Sequence, residues 1–446
     1  IKLANIDQNR RIFMKKLLTL LAVALFAVSF AFAGGANEKA SSDSTSNVVT
    51  TISKPLTIEF WHSFSGDVQL PVVESLVKEF NDTVGKEKGI TVVPVAQGSG
   101  PQLYAKVIGA IKSGSVPAVA MTKVIYDEDY VANDAAIDLS AYINKKEIGM
   151  TDFNDFFPAF REESQNYSKP GIYSLPFAKN VDVVYYNEDF FKTNGLEVPK
   201  TWDELEVVAQ KIYDLTGRAA FGYDNLSYLF QNLCLQYGGE YTNNKGDLLF
   251  LNSDAWYKGV SNYADKVWKG IWRTAGEDMF FSGPFARETI MMYVGGTVES
   301  TYINMKNPKF KWSAAPLPQA DLNNPHALSY DHVICALGLD GYTEETYAAW
   351  EFIKFMTSSE ASLKITMGTA YMTTRDSVLA NPEYQTFIAN GGNDALKAAT
   401  SQKDYLFYEP AFTTDTYSTS TLSTQVTTMM KSILENHTDP KVAMDN

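Results

Sequence analysis

The segment 172–187 constrains the fold more than any other stretch of the chain. It reads Ile-Tyr-Ser-Leu-Pro-Phe-Ala-Lys-Asn-Val-Asp-Val-Val-Tyr-Tyr-Asn, and its second half is rich in β-branched and aromatic residues, which favour a strand. Pro176 has no amide proton and cannot sit in a central ladder. We therefore predict that the backbone leaves one lobe over 174–180 and enters a strand of a second lobe over 181–186. Such boundaries favour ligand clefts. The candidate binding residues at this boundary between the lobes are Lys179, Asn180 and Asp182.

Strands and helices are predicted to alternate on the N-terminal side of this segment. An alternating apolar run at 56–61 is followed by apolar residues at helical spacing from Val73, and further strands are indicated at 90–95 and 116–121. This alternation implies a mostly parallel sheet, whose ligands bind beyond the carboxyl ends of its strands. The residues at the first such end are Trp61, His62 and Ser63.

The N-terminal residues have the pattern of an export signal. Positive charge precedes an apolar run that ends in small residues at 31–33, as a signal peptidase requires. We assign 1–33 to upstream residues and a signal peptide, the alternative being an uncleaved anchor, for which the run is short. The Ser- and Thr-rich stretch 34–54 is predicted to be a flexible linker. Export permits disulfides, but Cys234 and Cys335 lie in apolar contexts and are predicted to be free.

Composition and motifs argue against several function classes. The net charge is −14 and no Lys and Arg stripe is interleaved with aromatics, so nucleic acid is not an expected partner. The four His residues have no metal-ligand spacing, and phosphate-cradling, dinucleotide and nucleophile-elbow motifs are absent. We therefore expect no enzyme activity, no metal and no cofactor. The alternative is an exported carbohydrate-active enzyme, since two carboxylates that meet in space would suffice.

Three short motifs, taken in order, resemble one family. They are Trp61-His-Ser63, the run from Ser174-Leu-Pro-Phe177 to Val184-Tyr-Tyr-Asn187, and Ala370-Tyr-Met-Thr-Thr-Arg375. From Pro55 onward the chain resembles the family 1 extracellular solute-binding proteins of ABC importers, and among them the glycerol-3-phosphate binders. The resemblance implies an α/β, two-lobed periplasmic-binding-protein-like fold of type II. Each lobe would be a doubly wound, mostly parallel sheet, with a hinge between the lobes.

The length of 446 residues also favours two lobes, because it exceeds one ordinary core. In the family, a small-residue turn returns the chain to the first lobe, and a helix such as the one expected after Thr343 leads back to the second. The chain ends where the family's last helix begins, so we expect a truncated C-terminus. The predicted lobes are 55–175 with 299–338, and 176–298 with 339–446.

The resemblance adds binding residues to those at the strand ends and the crossing. Tyr228 matches a cleft Trp of the family, Tyr371 matches a cleft Tyr, and the small-residue turn lends backbone donors to ligand. Asp331 follows the second probable crossing, and Arg375 is placed to pair with an anion. The candidate ligand-binding residues are Trp61, His62, Ser63, Lys179, Asn180, Asp182, Tyr228, Gly295, Gly296, Thr297, Tyr330, Asp331, Tyr371 and Arg375.

Structural alternatives exist for several of these candidates. His62 could cap the next helix, Lys179 could be a solvated surface charge, and Asp331 could be an ordinary turn residue. Arg375 could neutralise Asp376 rather than a ligand. Any single aromatic residue could belong to the core.

Departures from the glycerol-phosphate binders bear on the ligand. Those proteins have two Ser residues where this chain has Lys179 and Asn180, and a cleft Glu that finds no match over 121–127. They also grip phosphate with an Arg near the C-terminal end, whereas 406–430 contains no Arg or Lys. Because a buried phosphate without a charged partner is costly, Lys179 or Arg375 would have to supply the charge. A sugar or oligosaccharide is therefore expected ahead of a phosphorylated polyol.

The expected function is that of an extracytoplasmic solute-binding protein of an ABC importer. It would capture a carbohydrate or a glycerol-phosphate-type solute between its lobes and deliver it to membrane permease subunits. We expect an exported monomer, periplasmic or associated with the cell surface.

Overall fold

The computed structural model describes residues 48–391 and 393–445. The predicted signal peptide and most of the predicted linker lie outside these residues. Val48 is buried, and Val49 packs against the same hydrophobic core. The packed part of the chain therefore begins before Pro55, the residue at which the sequence predicted it to start.

The described residues contain eight strands in one hydrogen-bonded network. The order is β2-β1-β3-β7-β4-β5, with β6 also paired to β4 and β8 to β7. The strands are β1 (Leu56–His62), β2 (Ile90–Ala96), β3 (Val119–Lys123), β4 (Ser174–Asn187), β5 (Met292–Gly296), β6 (Trp312–Pro316), β7 (Ala327–Ala336) and β8 (Leu406–Tyr408).

Helices lie between most successive strands of the described chain, the exception being the connection from β6 to β7. None of those described has both the length and the apolar content that crossing a bilayer requires. The α-helices are Gly66–Phe80, Lys86–Lys88, Gly100–Ser113, Val124–Ala132, Ser140–Ile143, Pro158–Glu163, Glu188–Thr193, Trp202–Thr216, Leu226–Gln236, Ala255–Trp268, Ser282–Ala286, Glu299–Met305, Glu344–Met356, Ser359–Thr369, Asp376–Leu379, Pro382–Ala389, Asp394–Thr400, Thr419–Asn436 and Pro440–Asp445.

Strand β4 joins two groups of strands. From Ser174 to Val181 it pairs with β7, and from Asp182 onward it pairs with β5 on one side and β6 on the other. A register shift between Pro176 and Ala178 interrupts the first half, as expected beside a residue that cannot donate to the ladder. β4 thus changes its partner strands between Val181 and Asp182, close to the position at which the sequence predicts the crossing.

Among the pairs formed by the eight described strands, β1 is parallel to β2 and β3, and β7 is parallel to β8. Every pairing of β4 is antiparallel. The mostly parallel sheet predicted from the strand and helix alternation therefore describes the N-terminal part of the network. Each strand that pairs with β4 is antiparallel to it. The alternation of strands and helices in the sequence does not predict this direction.

Packing does not follow the predicted lobe division at residue 299. Strand β6 pairs with the second half of β4, and Ile303 packs in one cluster with Tyr185 and Tyr293. The stretch that contains Ile303 and β6 therefore lies with β5, and β7 is the strand that returns to β3. The register of β6 on β4 decides this assignment.

The division predicted at residue 339 also differs from the structure. Phe352 of the helix Glu344–Met356 packs edge-on against Phe60 of β1 and against Phe80, with ring centroids 5.2 and 5.1 Å away. Trp350 of the same helix is fully buried in that cluster. This helix therefore stays with β1 instead of leading to the second group of strands, because its apolar face is buried against β1.

The helix Trp202–Thr216 begins as the sequence predicted. Thr201 Oγ1 accepts a hydrogen bond from the Glu204 amide at 3.1 Å. The second half of a capping box is displaced by one residue, because Glu204 Oε2 accepts from the Lys200 amide at 2.7 Å. Gly217, in the left-handed conformation, ends the helix. The buried face consists of Trp202, Leu205, Val208, Ala209 and Ile212.

Replacing Thr201 by alanine should lower the free energy of unfolding by about 1 kcal/mol, because the Glu204 amide loses its acceptor. Thr201→Ser keeps the hydroxyl and should retain most of the stability. Urea unfolding followed by circular dichroism measures both variants. An alanine variant as stable as the parent protein would show that the cap contributes nothing.

Candidate functional site

A cavity of about 700 Å³ opens beside β4, β5 and β7. Its volume lies within the range of small-molecule sites, about 300–1,000 Å³. Seven of its eighteen lining residues are charged, so the wall offers both donors and acceptors to a polar molecule. The cationic lining residues are Lys123, Arg287 and Lys306, and the acidic ones are Asp224, Asp278, Glu299 and Asp331.

Part of the predicted site lines this cavity. The lining residues that the sequence singled out are Asn180, Tyr228, Gly296, Tyr330 and Asp331. They come from β4, the helix Leu226–Gln236, β5 and β7. The crossing strand thus brings together residues that are far apart in the chain.

Asp331 is the most constrained of these residues. It has a φ of 77° although it is not glycine, a conformation that costs energy and is frequent at functional sites. Its Oδ1 lies 2.7 Å from Lys123 Nζ, and its Oδ2 accepts from Asn180 Nδ2 at 3.1 Å. Burial acts to raise the pKa of Asp331, but the attraction of Lys123 outweighs it and lowers the pKa to about 2. Asp331 therefore remains ionised at any physiological pH.

Tyr228 and Tyr330 form an aromatic wall of the cavity. Their ring centroids lie 4.2 Å apart with the planes inclined by 37°. The Tyr330 hydroxyl donates to Asp182 Oδ1 at 2.7 Å, and the Tyr223 hydroxyl donates to Asp182 as well. Burial raises the pKa of Asp182 to about 6, although the two hydroxyls act to lower it. Asp182 thus holds the aromatic wall from behind and does not line the cavity.

The glycines at the end of β5 leave room for polar side chains. A Cβ on Gly296 would lie 2.3 Å from Asn180 Nδ2, and one on Gly295 would lie 2.8 Å from Asp224 Oδ2. Thr297 is buried behind them, where its hydroxyl donates to Asn180 Oδ1 at 2.8 Å. Gly295 and Thr297 therefore shape the cavity without lining it.

The two cations that the sequence offered for an anionic ligand are both held inside the protein. Lys179 Nζ lies 2.6 Å from Glu163 Oε2, and its side chain has no exposed surface. Arg375 Nη1 lies 2.9 Å from Asp152 and 3.2 Å from Asp155. Neither Lys179 nor Arg375 lines the cavity. The sequence alternative paired Arg375 with Asp376, but its ion pairs are with Asp152 and Asp155.

The other predicted residues do not line the cavity. Trp61 is partly buried, and its indole nitrogen donates to Glu59 Oε2 of the same strand at 2.8 Å. Burial lowers the pKa of His62 to about 4, so this side chain is neutral, and it makes no cap hydrogen bond to the next helix. Ser63 borders a narrow space next to Lys123. Tyr371 stacks on Phe64, and its hydroxyl lies 3.3 Å from His332 Nε2.

Several lining residues were missed from the sequence. Lys123 ends β3, so the rule that selected the end of β1 would also have selected it. Asp224 directly precedes Asn225, which caps the helix Leu226–Gln236 by accepting from the Tyr228 amide. The segment 278–287, which contributes Arg287, carries no motif that would have indicated a site.

Neither a disulfide nor a metal site is found among the residues that the structure describes. Cys234 and Cys335 are both buried and free, as predicted. Across 48–391 and 393–445, no group of three or more His, Cys, Asp or Glu residues is arranged to hold a metal ion.

Comparison with known families identifies the type of protein that this chain resembles. Residues 75–392 match the model of the family described as bacterial extracellular solute-binding protein. A curated relative, the sn-glycerol-3-phosphate-binding periplasmic protein UgpB of Rhizobium meliloti (strain 1021), is 26% identical over 335 residues. That alignment covers 71% of this chain and 74% of the relative.

Solved structures share the fold at lower identity. UgpB from Mycobacterium tuberculosis in complex with glycerophosphocholine superposes with a TM-score of 0.75 at 19% identity, covering 88% of this chain and 96% of that one. The cyclic alpha-maltosyl-1,6-maltose binding protein from Arthrobacter globiformis superposes with a TM-score of 0.73 at 18% identity, with the same coverage of both chains. These neighbours support the type II fold class predicted from the sequence.

Arg375→Met should lower the free energy of unfolding by about 3 kcal/mol, since it removes a buried cation from two carboxylates. Arg287→Met is the matched control, because the Arg287 side chain is 61% exposed, and its effect should stay within about 0.5 kcal/mol. Urea unfolding of both variants measures the difference. Equal losses of stability would contradict a structural role specific to Arg375.

Proposed function

The chain belongs to the bacterial extracellular solute-binding proteins, and from this premise we propose that it captures a carbohydrate or a glycerol-phosphate-type solute for an ABC importer. The observation that carries the proposal is the cavity of about 700 Å³ beside the crossing strand, with its charged and aromatic wall. The names of the curated relatives and of the solved structures, which bind glycerol 3-phosphate, glycerophosphocholine or maltose derivatives, support this choice of solute.

The wall of the cavity suits a molecule with several hydroxyl groups. Hydroxyls both donate and accept, and the cavity offers ionised acceptors such as Asp331 together with donors such as the Asn180 amide. Tyr228 and Tyr330 supply flat apolar faces for the C–H surface of a sugar ring. Polar groups that fix orientation and aromatic faces that give contact area are the usual division of work in such sites.

Positive charge for a phosphate group comes from Arg287 and Lys306. Both side chains approach one point, since a Cβ placed on Gly283 would lie 3.3 Å from Arg287 Nη1 and 3.9 Å from Lys306 Cε. Lys123 is paired with the largely buried Asp331, whereas the ion pair of Arg287 with Asp278 lies nearer the surface, where the Arg287 side chain is 61% exposed and the pair is weaker. Arg287 and Lys306 thus take the role that the sequence had offered to Lys179 and Arg375, so a glycerol-phosphate-type solute stays within the proposal.

Solute capture is coupled to delivery through a change of conformation. We propose that the strands grouped around β1 and those grouped around β5 form the two lobes and close on the solute by a hinge at β4. The solute shifts the equilibrium towards the closed form, which the permease subunits recognise. The protein acts outside the cytoplasm, in the periplasm or at the cell surface, as a monomer without nucleic acid.

No chemical reaction is part of the proposal, because a binding protein returns its solute unchanged. Prolonged incubation with a bound solute, followed by chromatography, tests this directly. Products of hydrolysis would favour the exported carbohydrate-active enzyme instead.

Thermal unfolding against a panel of maltooligosaccharides, monosaccharides, glycerol 3-phosphate and glycerophosphodiesters identifies the solute class. A solute at one hundred times its dissociation constant should add about 2.7 kcal/mol of stability, which is readily detected. Stabilisation by sugars alone would assign the carbohydrate class, and stabilisation by glycerol phosphates alone would assign the phosphorylated class. A panel in which no member stabilises the protein would contradict the proposal.

Tyr228→Leu should weaken binding of the solute found in this way about three- to tenfold, because the aromatic face is lost while apolar bulk is kept. Trp61→Leu removes an aromatic residue that does not line the cavity and should leave the affinity unchanged. Calorimetric titration of both variants provides the comparison. Equal losses in the two variants would place the solute elsewhere.

A further inference from the structure

Two carboxyl groups in the cavity wall lack partners for one oxygen each. Asp224 Oδ1 accepts from the Phe281 amide at 2.7 Å, but Asp224 Oδ2 is shielded from solvent and makes no hydrogen bond with any described residue. Glu299 is only 9% exposed, and its Oε2 is likewise buried without a partner in the described chain. Unsatisfied buried oxygens are costly, and these two differ from those of Asp127, Glu128 and Glu409 because their residues line the cavity, where a ligand can supply the missing partners.

The backbone places the two groups beside each other. The Asp224 amide donates to the Val294 carbonyl of β5 at 3.0 Å, and Glu299 is the first residue of the helix Glu299–Met305. A Cβ on Gly295 would lie 2.8 Å from Asp224 Oδ2 and 3.1 Å from Glu299 Cγ. Only a residue without a side chain leaves room for both at this position, so the glycine permits the pair.

The electrostatics of the pair agree with this geometry. Burial raises the pKa of Glu299 to about 7, and burial followed by repulsion from Glu299 raises the pKa of Asp224 well above its usual value. Near neutral pH the pair therefore retains a proton. The other titratable groups that act on the pair are Asp182, Tyr185, Tyr263, Tyr293, Lys306 and Tyr371.

The raised pKa values mean that the pair destabilises the empty protein as the pH rises. A carboxyl with a folded pKa above its unfolded pKa stabilises the fold below the unfolded value and loses that contribution as the pH rises to the folded value. For Glu299 this window runs from 4.5 to about 7. An arrangement that lowers stability, and in which one oxygen of each carboxyl has no partner among the described residues, is typical of a binding site.

We propose that Asp224 and Glu299 are the hydroxyl-binding end of the cavity and hold two neighbouring hydroxyl groups of the solute. The ionised carboxylate accepts a hydrogen bond from one hydroxyl, and the protonated carboxyl donates to the other. This proposal rests on the proposed solute-binding function and extends it by assigning the residues that recognise a vicinal diol. No bond is made or broken, and the proton stays within the pair.

Glu299→Gln in the full chain tests the proposal, because glutamine keeps the shape and removes the charge. Thermal unfolding of the empty protein should shift to higher temperature at pH 8, and less so at pH 5, where Glu299 is already protonated. The double variant Glu299→Gln with Asp224→Asn leaves no charged acceptor in the pair, so its affinity for maltotriose or glycerol 3-phosphate, whichever binds the parent protein, should fall about tenfold or more. Each single variant should lose less affinity, because the remaining carboxyl still carries the charge.

Glu128→Gln is the matched control, since Glu128 is also buried with one unpartnered oxygen but does not line the cavity. This variant should bind the probe as the parent protein does. Unchanged affinity in the double variant Glu299→Gln with Asp224→Asn, or a loss of stability at pH 8 in Glu299→Gln, would overturn the assignment while leaving the proposed function intact. A parent protein that binds neither probe would overturn the proposed function and the assignment with it.

Discussion

The backbone ladder of β4 is the constraint on which the rest of the structure depends. One continuous strand exchanges its partners between Val181 and Asp182, passing from β7 to β5 and β6. Because residues two apart in a strand share one face, the ladder puts Asn180 and Asp182 on the same side of β4, where Thr297 donates to Asn180 and Tyr330 donates to Asp182. Both the cavity and its support follow from this single passage.

The buried charged residues near the change of partners in β4 are of two kinds. Lys179 with Glu163, and Lys123 with Asp331, are compensated ion pairs, so removing either member would leave an uncompensated charge. Asp224 and Glu299, by contrast, repel each other, and each keeps an unused oxygen. The compensated pairs maintain the geometry, whereas the uncompensated pair retains unsatisfied hydrogen-bonding capacity that a solute can use.

Prediction from the sequence was most accurate where a local signal decided the outcome. The crossing strand, the cap at Thr201 and the free cysteines each depend on a few neighbouring residues. The lobe boundaries depended on which strands pair, and the register of β6 on β4 could not be read from composition or periodicity. Local sequence signals therefore predicted individual strands and helix caps, whereas pairing between strands far apart in the chain determined which strands lie together.

Among the residues that line the cavity, the sequence by itself indicated Asn180, Tyr330 and Asp331, because crossings place polar and aromatic residues at a cleft, and the family resemblance indicated Tyr228. Only the tertiary structure decided which charges face the cavity. Arg375 and Lys179 satisfy carboxylates inside the protein, while Asp224 and Glu299, far apart in the chain, meet across Gly295. The physical reason is that a charge acts over a few ångströms in space, and distance in space is set by packing and not by position in the sequence.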